Sequence, residues 1–365
     1  MISFQFFPSR TISFYMARMF LTRTFAVLAA LVLVLQFLDM LSESGHIYAH
    51  PGNGQAALFH YITLRAPQLI ARFLPYSVLG GAIITYYTLN QNSEVIAMKA
   101  SGLSAHQLLA PMIVAAIGVA AISFTFNDRV VSRATATLNQ WQKVDYGDIP
   151  IDRGDRLNVW TRSGDDLINV VKVQGRGDAA RLQGITLYDR QGGELRGVIS
   201  AAQGWRQGDG WRVNDAKRFD VASGQLTDLG SVVVARGVRP DQFTLATVDA
   251  DGLSFLQLKE AITDLQASGR PTKSLEGDMW HKVSGPLSAV LMPLLGAVAA
   301  FGIARSGKLF IRAVIGMGLG FTYFVIDNFA LAMGNLGAYP PMLAAWAPFF
   351  LFLMIGEAVL IRTEE

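Results

Sequence analysis

The sequence predicts an α-helical polytopic membrane protein: six transmembrane helices, with an all-β domain of sandwich or jelly-roll type inserted between the third and the fourth. Three observations carry this. The chain of 365 residues is 51% hydrophobic and only 16% charged, against about 25% charged in an ordinary soluble domain. The apolar residues are concentrated in long runs at both ends of the chain. The stretch between, 127–282, is charged and rich in turn residues.

A helix needs about 20 mostly apolar residues to cross the hydrocarbon of a bilayer. Segments 20–41, 67–89, 107–126, 283–303, 311–333 and 342–361 meet that requirement. The first is not a cleaved signal peptide. Its apolar part exceeds the usual core of about 7–15 residues, and Asp39-Met40-Leu41 is no small-residue cleavage site. Ahead of it, Ser9–Arg23 mixes Phe14, Tyr15, Met19 and Phe20 with Arg10, Arg18 and Arg23. That reads either as an interfacial helix leading into span one or as the start of one longer continuous helix. In span four, Pro286 and Pro293 should bend the helix. In span five, Gly316 and Gly320 lie four apart and open one face to close helix packing.

Lysine and arginine in the short loops set the orientation. Arg10, Arg18, Arg23, Lys99, Arg305, Lys308, Arg312 and Arg362 fall on one side; Arg65 alone falls on the other. Both termini are therefore expected in the cytoplasm and the inserted domain outside it, in the periplasm of a Gram-negative cell. Three regions follow: an N-terminal membrane half at 1–126, a β domain with flanking helices at 127–270, and a C-terminal membrane half at 271–365.

Within the insertion, segments 157–162, 167–174, 184–190, 195–201, 210–216 and 230–236 are short and rich in β-branched and aromatic residues, with Gly, Asp and Asn between them. Such spacing predicts strands. A helix continuing from span three through about Gln142 should precede them. Another, at about 255–268, should follow, with Ser254 and Gln257 at capping-box spacing.

The absence of cysteine removes a disulfide framework and a thiol nucleophile. The five histidines, at 46, 50, 60, 106 and 281, are too dispersed in sequence for a metal site, and a net charge of +3 with scattered basic residues does not point to nucleic acid. Gly302 to Lys308 has the spacing of a phosphate-binding loop. However, Leu309 stands where that loop needs a magnesium-binding Ser or Thr, and the run leaves a membrane helix rather than a strand. No catalytic constellation and no cofactor site are visible, so the chain reads as non-catalytic.

The loop between spans two and three, Asn90-Gln91-Asn92-Ser93-Glu94-Val95-Ile96-Ala97-Met98-Lys99-Ala100-Ser101-Gly102-Leu103-Ser104, is amphipathic. It reads as a short helix parallel to the membrane, either a docking surface or an ordinary interfacial helix with solvated charges. This block resembles the signature of the LptF/LptG family, the permease subunits of the lipopolysaccharide export ABC transporter. Further stretches share the resemblance: Leu74-Pro75, Gly184-Ile185-Thr186-Leu187-Tyr188, Gly210-Trp211, and Leu336-Gly337-Ala338-Tyr339-Pro340-Pro341 followed by Ala345-Trp346-Ala347-Pro348. It covers essentially the whole chain. Leu38-Asp39-Met40-Leu41 and the 90–104 block are more like the LptG than the LptF branch.

The resemblance implies a periplasmic β-jellyroll, an LptF-type partner permease, a dimer of a cytosolic LptB-type ATPase that hydrolyses the ATP, and a single-span LptC-type protein. The substrate would be lipopolysaccharide, taken from the inner membrane and passed to a periplasmic bridge. Ser93, Glu94, Val95, Met98, Lys99 and Gly102 would form the ATPase-coupling helix. Gln36, Asp39, Arg72, Gly316, Gly320 and Asp327 would line the lipid cavity and its lateral gate, where spans one and five meet the partner permease. Ionisable residues inside a membrane are costly and point to function. Asp39, Arg72 and Asp327 are expected at one depth, either pairing with one another or leaving Arg72 to grip a lipid phosphate. Glu357 is expected to pair with Arg362 or to reach the membrane surface. One departure stands out: family members carry lysines near the outer end of span one, where this chain has Gln36, Ser42 and Glu43. The competing functions are a secondary transporter, which would more often show an internal repeat, and a membrane-anchored sensor or assembly factor using the β domain as a binding module.

Overall fold

A computed structural model describes residues 7–148, 156–175, 179–238, 240, 243, 249–267, 270–302 and 309–364. Most of the near-miss phosphate loop, with Arg305 and Lys308, lies outside the described residues. Among the described residues, six helices are long and apolar enough to cross a membrane, and a six-stranded antiparallel sheet stands in sequence between the third and the fourth. The chain divides into two compact units: one made of Met1–Asp148, Asp249–Lys259 and Lys273–Glu365, the other of Ile149–Val248 and Glu260–Thr272.

The helices run beyond the apolar segments. Helix α1, Arg10–Ala49, is one continuous element of 40 residues, so the segment 9–23 is its first turns and not a separate interfacial helix. Ser9 caps it, its Oγ accepting from the Ile12 amide at 3.4 Å. Pro51 and the left-handed Gly52 follow its end, and Asn53 Nδ2 donates to the Ile47 carbonyl at 3.0 Å. Helix α2, Gln55–Gln91, begins 12 residues before the apolar run at 67 and contains Pro67 and Pro75. Then come α3, Glu94–Ala100, and α4, Ala105–Phe126, which passes through a π-helical turn, Asn127–Val131, into α5, Ser132–Lys143. After the sheet, α6 spans Phe255–Ala267. Its capping box is formed: Gln257 N donates to Ser254 Oγ at 3.3 Å and Ser254 N to Gln257 Oε1 at 3.0 Å. Helix α7, Lys273–Ala297, holds Pro286 and Pro293 and ends in a second π-helical turn, Val298–Gly302. Helices α8, Leu309–Asn335, and α9, Pro341–Glu364, complete the bundle.

Helix α7 is the central post. It packs against α2, α4, α8 and α9, and 72% of its apolar window is buried, against 17% for α1. The buried core runs through Phe20, Val78, Leu89, Met112 and Met292. One end of the bundle, here called the root end, is where α5 leaves for the insertion and α7 returns; α3 lies at the opposite end.

In the inserted unit, β1 (Arg156–Ser163), β2 (Asp166–Gln174), β3 (Arg181–Gln191), β4 (Glu194–Gln207), β5 (Gly210–Asp220) and β6 (Leu226–Val234) pair antiparallel in sequence order. All six sequence-predicted strands are present, and β3 to β5 are longer than predicted. The strand order is that of a meander, and the crossing connection that defines a jelly roll is not among the described residues. Each strand pairs with its predecessor, and the connections β1–β2, β3–β4 and β4–β5 are two-residue turns. Gly192 and Gly193, with φ +62° and +87°, supply the left-handed pair that a two-residue hairpin needs. One face buries Val159, Val170, Ile185 and Val213. Beside it Trp211 stacks edge-on to Phe243 at 5.2 Å and donates Nε1 to the Val238 carbonyl at 2.9 Å.

Candidate functional site

Two groups of residues carry polar chemistry in the helical unit, one at each end. At the opposite end, α3 is closed by a glycine cap. Gly102, at φ +89°, donates its amide to Lys99 O at 3.0 Å while Leu103 N donates to Met98 O at 3.2 Å, the paired bonds of a left-handed helix terminus. Ser104 then opens α4 with a capping box to Gln107. Val95 is buried and Met98 half-buried against the bundle core, so they anchor α3. Ser93, Ile96, Lys99 and Gly102 form its outer surface. Ile96, part of the apolar side of this amphipathic segment but not one of the expected coupling residues, is 67% exposed and belongs to that surface. Glu94 Oε1 accepts from Asn92 Nδ2 at 3.1 Å and from the Tyr15 hydroxyl at 3.4 Å.

At the root end, the three ionisable residues expected at one depth do not pair with one another. Asp39 is held by Arg65, whose Nη2 and Nε donate to its two oxygens at 3.0 and 3.1 Å, and by the Tyr61 hydroxyl at 2.6 Å. Arg65 also donates to Gln68 Oε1 at 2.7 Å, and Gln68 Nε2 reaches Thr135 Oγ1 at 3.1 Å. The chain of bonds therefore ties α1, α2 and α5 together. Beside it, the Tyr146 hydroxyl donates to Glu43 Oε2 at 2.7 Å. An apolar run that starts at 67 places Arg65 in a loop; with α2 extended back to Gln55, it sits two helical turns nearer the root end than Arg72 and takes Asp39 instead. The legible signal was the helical spacing of Tyr61, Arg65 and Gln68.

Asp327 is 6% exposed, and His281 Nε2 lies 3.9 Å from its Oδ2. The other ring nitrogen of His281 lies 3.4 Å from Ser284 Oγ. Arg72 is exposed and makes no ion pair or hydrogen bond among the described residues. Tyr76, one turn on, lies within electrostatic reach of both Arg72 and Asp327 and stacks on Phe324 at 4.0 Å. Gln36 is buried, and neither its amide nitrogen nor its oxygen has a partner among the described residues. A Cβ at Gly316 would stand 3.0 Å from Ala299 Cβ and 3.1 Å from Ile83, and one at Gly320 would overlap Leu79. The close approach expected of these glycines is thus made to α2 and the second π-helical turn of the same chain; the open glycine of α8 is Gly318. Glu357 meets His106 at 3.2 Å and not Arg362.

An exposed guanidinium on an apolar helix is costly unless an anion meets it, and its planar fork suits a phosphate held by two bonds. The root end therefore offers a satisfied charge network around Asp39 and, at Arg72, a cation open to a ligand.

The chain matches the family described as "Lipopolysaccharide export system permease LptF/LptG" over residues 14–362. It is 26% identical over 349 residues to the lipopolysaccharide export system permease protein LptG of Escherichia coli strain K12, covering 93% of this chain and 94% of that protein. It is 22% identical over 368 residues to the LptG protein of Haemophilus influenzae, covering 97% and 99%.

Proposed function

The chain belongs to the LptF/LptG family of lipopolysaccharide export permeases, and from that premise we propose how its two sites are used. It is a multi-pass inner-membrane protein and a permease subunit of the ABC transporter that exports lipopolysaccharide. The observation that carries this is a match spanning both helical halves and the inserted sheet, 14–362. The chain itself is a transport subunit, and hydrolysis of ATP falls to a separate cytosolic LptB-type dimer. An LptF-type permease completes the membrane pore, and an LptC-type single-span protein accepts the lipid. Both termini are cytoplasmic and the β domain periplasmic, in keeping with the excess of basic residues at the loops on the α3 side.

In this arrangement α3 is the motor-docking helix. Ser93, Ile96, Lys99 and Gly102 meet the ATPase, while Glu94, Val95 and Met98 fix the helix to its own bundle. Arg72 is the lipid-phosphate contact, since it is an exposed guanidinium on a membrane-spanning helix with no ion pair or hydrogen bond among the described residues. It supplies on span two a cation that span one lacks, where Gln36, Ser42 and Glu43 replace basic residues. Gln36, Asp327, Gly316 and Gly320 line or support the cavity, and the Asp39–Arg65 pair braces its edge.

Affinity purification of the tagged chain tests the assembly: an ATPase, a second six-span permease and a single-span protein should accompany it. ATP-driven release of lipopolysaccharide from liposomes should require all of them. Photo-crosslinking from positions 38, 72 and 318 should capture lipid or partner permease. Absence of any lipid adduct at 72 in a complex that still exports would remove Arg72 from the path.

A further inference from the structure

The register of α2 against α8 fixes which of their residues share a level. Gly316 faces Ile83 and Gly320 faces Leu79. Tyr76 stacks on Phe324, the ring centroids 4.0 Å and the planes 28° apart. The two helices therefore run antiparallel, each contact about one turn beyond the last, and one further turn brings Arg72 to the level of Asp327. A guanidinium and a carboxylate at one level of an apolar bundle are expected to pair. The planar fork meets two carboxylate oxygens at once, and a buried charge without a partner is costly. These two do not pair. Arg72 is exposed, while Asp327 is buried and makes no hydrogen bond among the described residues.

Asp327 is turned instead to α7. His281 Nε2 lies 3.9 Å from its Oδ2, a charge contact longer than a hydrogen bond. The ring is itself held: Nδ1 lies 3.4 Å from the hydroxyl of Ser284, which is buried. Gly285 leaves the ring its space, since an added Cβ would stand 3.5 Å from Nε2. On the α2 side, the Tyr76–Phe324 stack occupies the turn beside Asp327, and Tyr76 is within electrostatic reach of both Arg72 and Asp327. Asp278, one turn before His281, accepts a hydrogen bond from Asn335 and lies within reach of Lys282 as well as of His281. Asp327 has no such second partner, so His281 decides which way its carboxylate faces.

We propose that His281 is a positioning residue of the lipid-phosphate site: by holding Asp327 on the α7 side, it keeps an internal carboxylate from neutralising Arg72, and the guanidinium stays open to a phosphate of the lipid. This rests on the reading of Arg72 as the lipid-phosphate contact. Two anions compete for one cation, and the carboxylate, tethered on a neighbouring helix, competes intramolecularly. His281 thus sets the affinity for phosphate without touching the lipid.

The test uses the transporter assembled with its partner subunits in nanodiscs, titrated with lipopolysaccharide and with the same lipid after phosphatase treatment. The ratio of the two affinities reads the phosphate contact; a merely structural defect lowers both affinities and leaves the ratio unchanged. Arg72→Ala should lower the ratio several-fold. His281→Phe keeps a ring but has neither donor nor charge, and it should lower the ratio several-fold as well, Asp327 then turning to Arg72. His281→Phe combined with Asp327→Asn should restore the wild-type ratio, because an asparagine cannot neutralise Arg72. Should His281→Phe fail to assemble, His281→Gln, with and without Asp327→Asn, is read in the same way. A wild-type ratio in the His281 variant, or a lowered one that Asp327→Asn does not restore, overturns the role of His281 while a low ratio in Arg72→Ala upholds the phosphate contact. A wild-type ratio in Arg72→Ala overturns the phosphate contact, and the role of His281 with it.

Discussion

Asp39 illustrates how a charge is accommodated at the edge of a membrane. It accepts from a bidentate guanidinium and a phenol, and it retains some solvent contact, its side chain being 21% exposed. Hydrogen bonds to charged groups contribute about 1.5–3 kcal/mol each. Arg65→Ala should therefore lower stability by about that amount, and Asp39→Asn by less, since Tyr61 still has an acceptor. In a double-mutant cycle on detergent-solubilised protein, the Asp39–Arg65 coupling should be clearly favourable; a coupling of zero would mean the pair is incidental. Tyr146 gives a pH-dependent counterpart. Burial, aided by its bond to the Glu43 carboxylate, pushes its hydroxyl up to about 12, against about 10 for a free tyrosine. The fold favours the neutral form. Its contribution is full below about pH 10 and is lost as pH rises through about 12. Wild-type protein should lose more stability than Tyr146→Phe over that interval in alkaline melting curves.

At the scale of elements, glycines fix how closely and where helices meet. Gly320 faces Leu79 and Gly318 faces open space. Gly320→Ala should therefore destabilise by about 1–3 kcal/mol through overpacking. Gly318→Ala should be neutral or slightly stabilising, since alanine is the better helix former. Equal melting temperatures for the two variants would contradict this orientation of α8. Gly102 acts through conformation instead. A side chain at φ +89° is strained by about 1–2 kcal/mol, and the strain falls on the cap that sets the end of α3. Gly102→Val should insert normally yet retain several-fold less ATPase in a pull-down, and Glu94→Lys should weaken the same association through its contacts with Tyr15 and Asn92.

For the whole molecule, the testable property is its orientation. A cysteine-free chain permits single-site labelling in cells. Gln207→Cys, at the exposed end of β4, should react with an impermeant maleimide once the outer membrane is permeabilised. Ser101→Cys, exposed beyond α3, should react only after the inner membrane is opened. The reverse pattern would invert the topology and remove the docking role of α3.

The six spans, the six strands, the capping box at Ser254 and the short helix before span three were all written in the sequence. Each depends on local periodicity or on a single residue's backbone preference, which a chain carries wherever it sits. The partner of Asp39 was not, nor that of Asp327, nor the inward face of Gly316 and Gly320. Those depend on how far α2 runs beyond its apolar stretch and on the rotation and stagger of one helix against another. A shift of one turn, about 5.4 Å, exchanges one partner for the next. Such a shift is decided by the summed packing of the whole bundle, so only the tertiary structure could assign Arg65 to Asp39, His281 to Asp327, and leave Arg72 open.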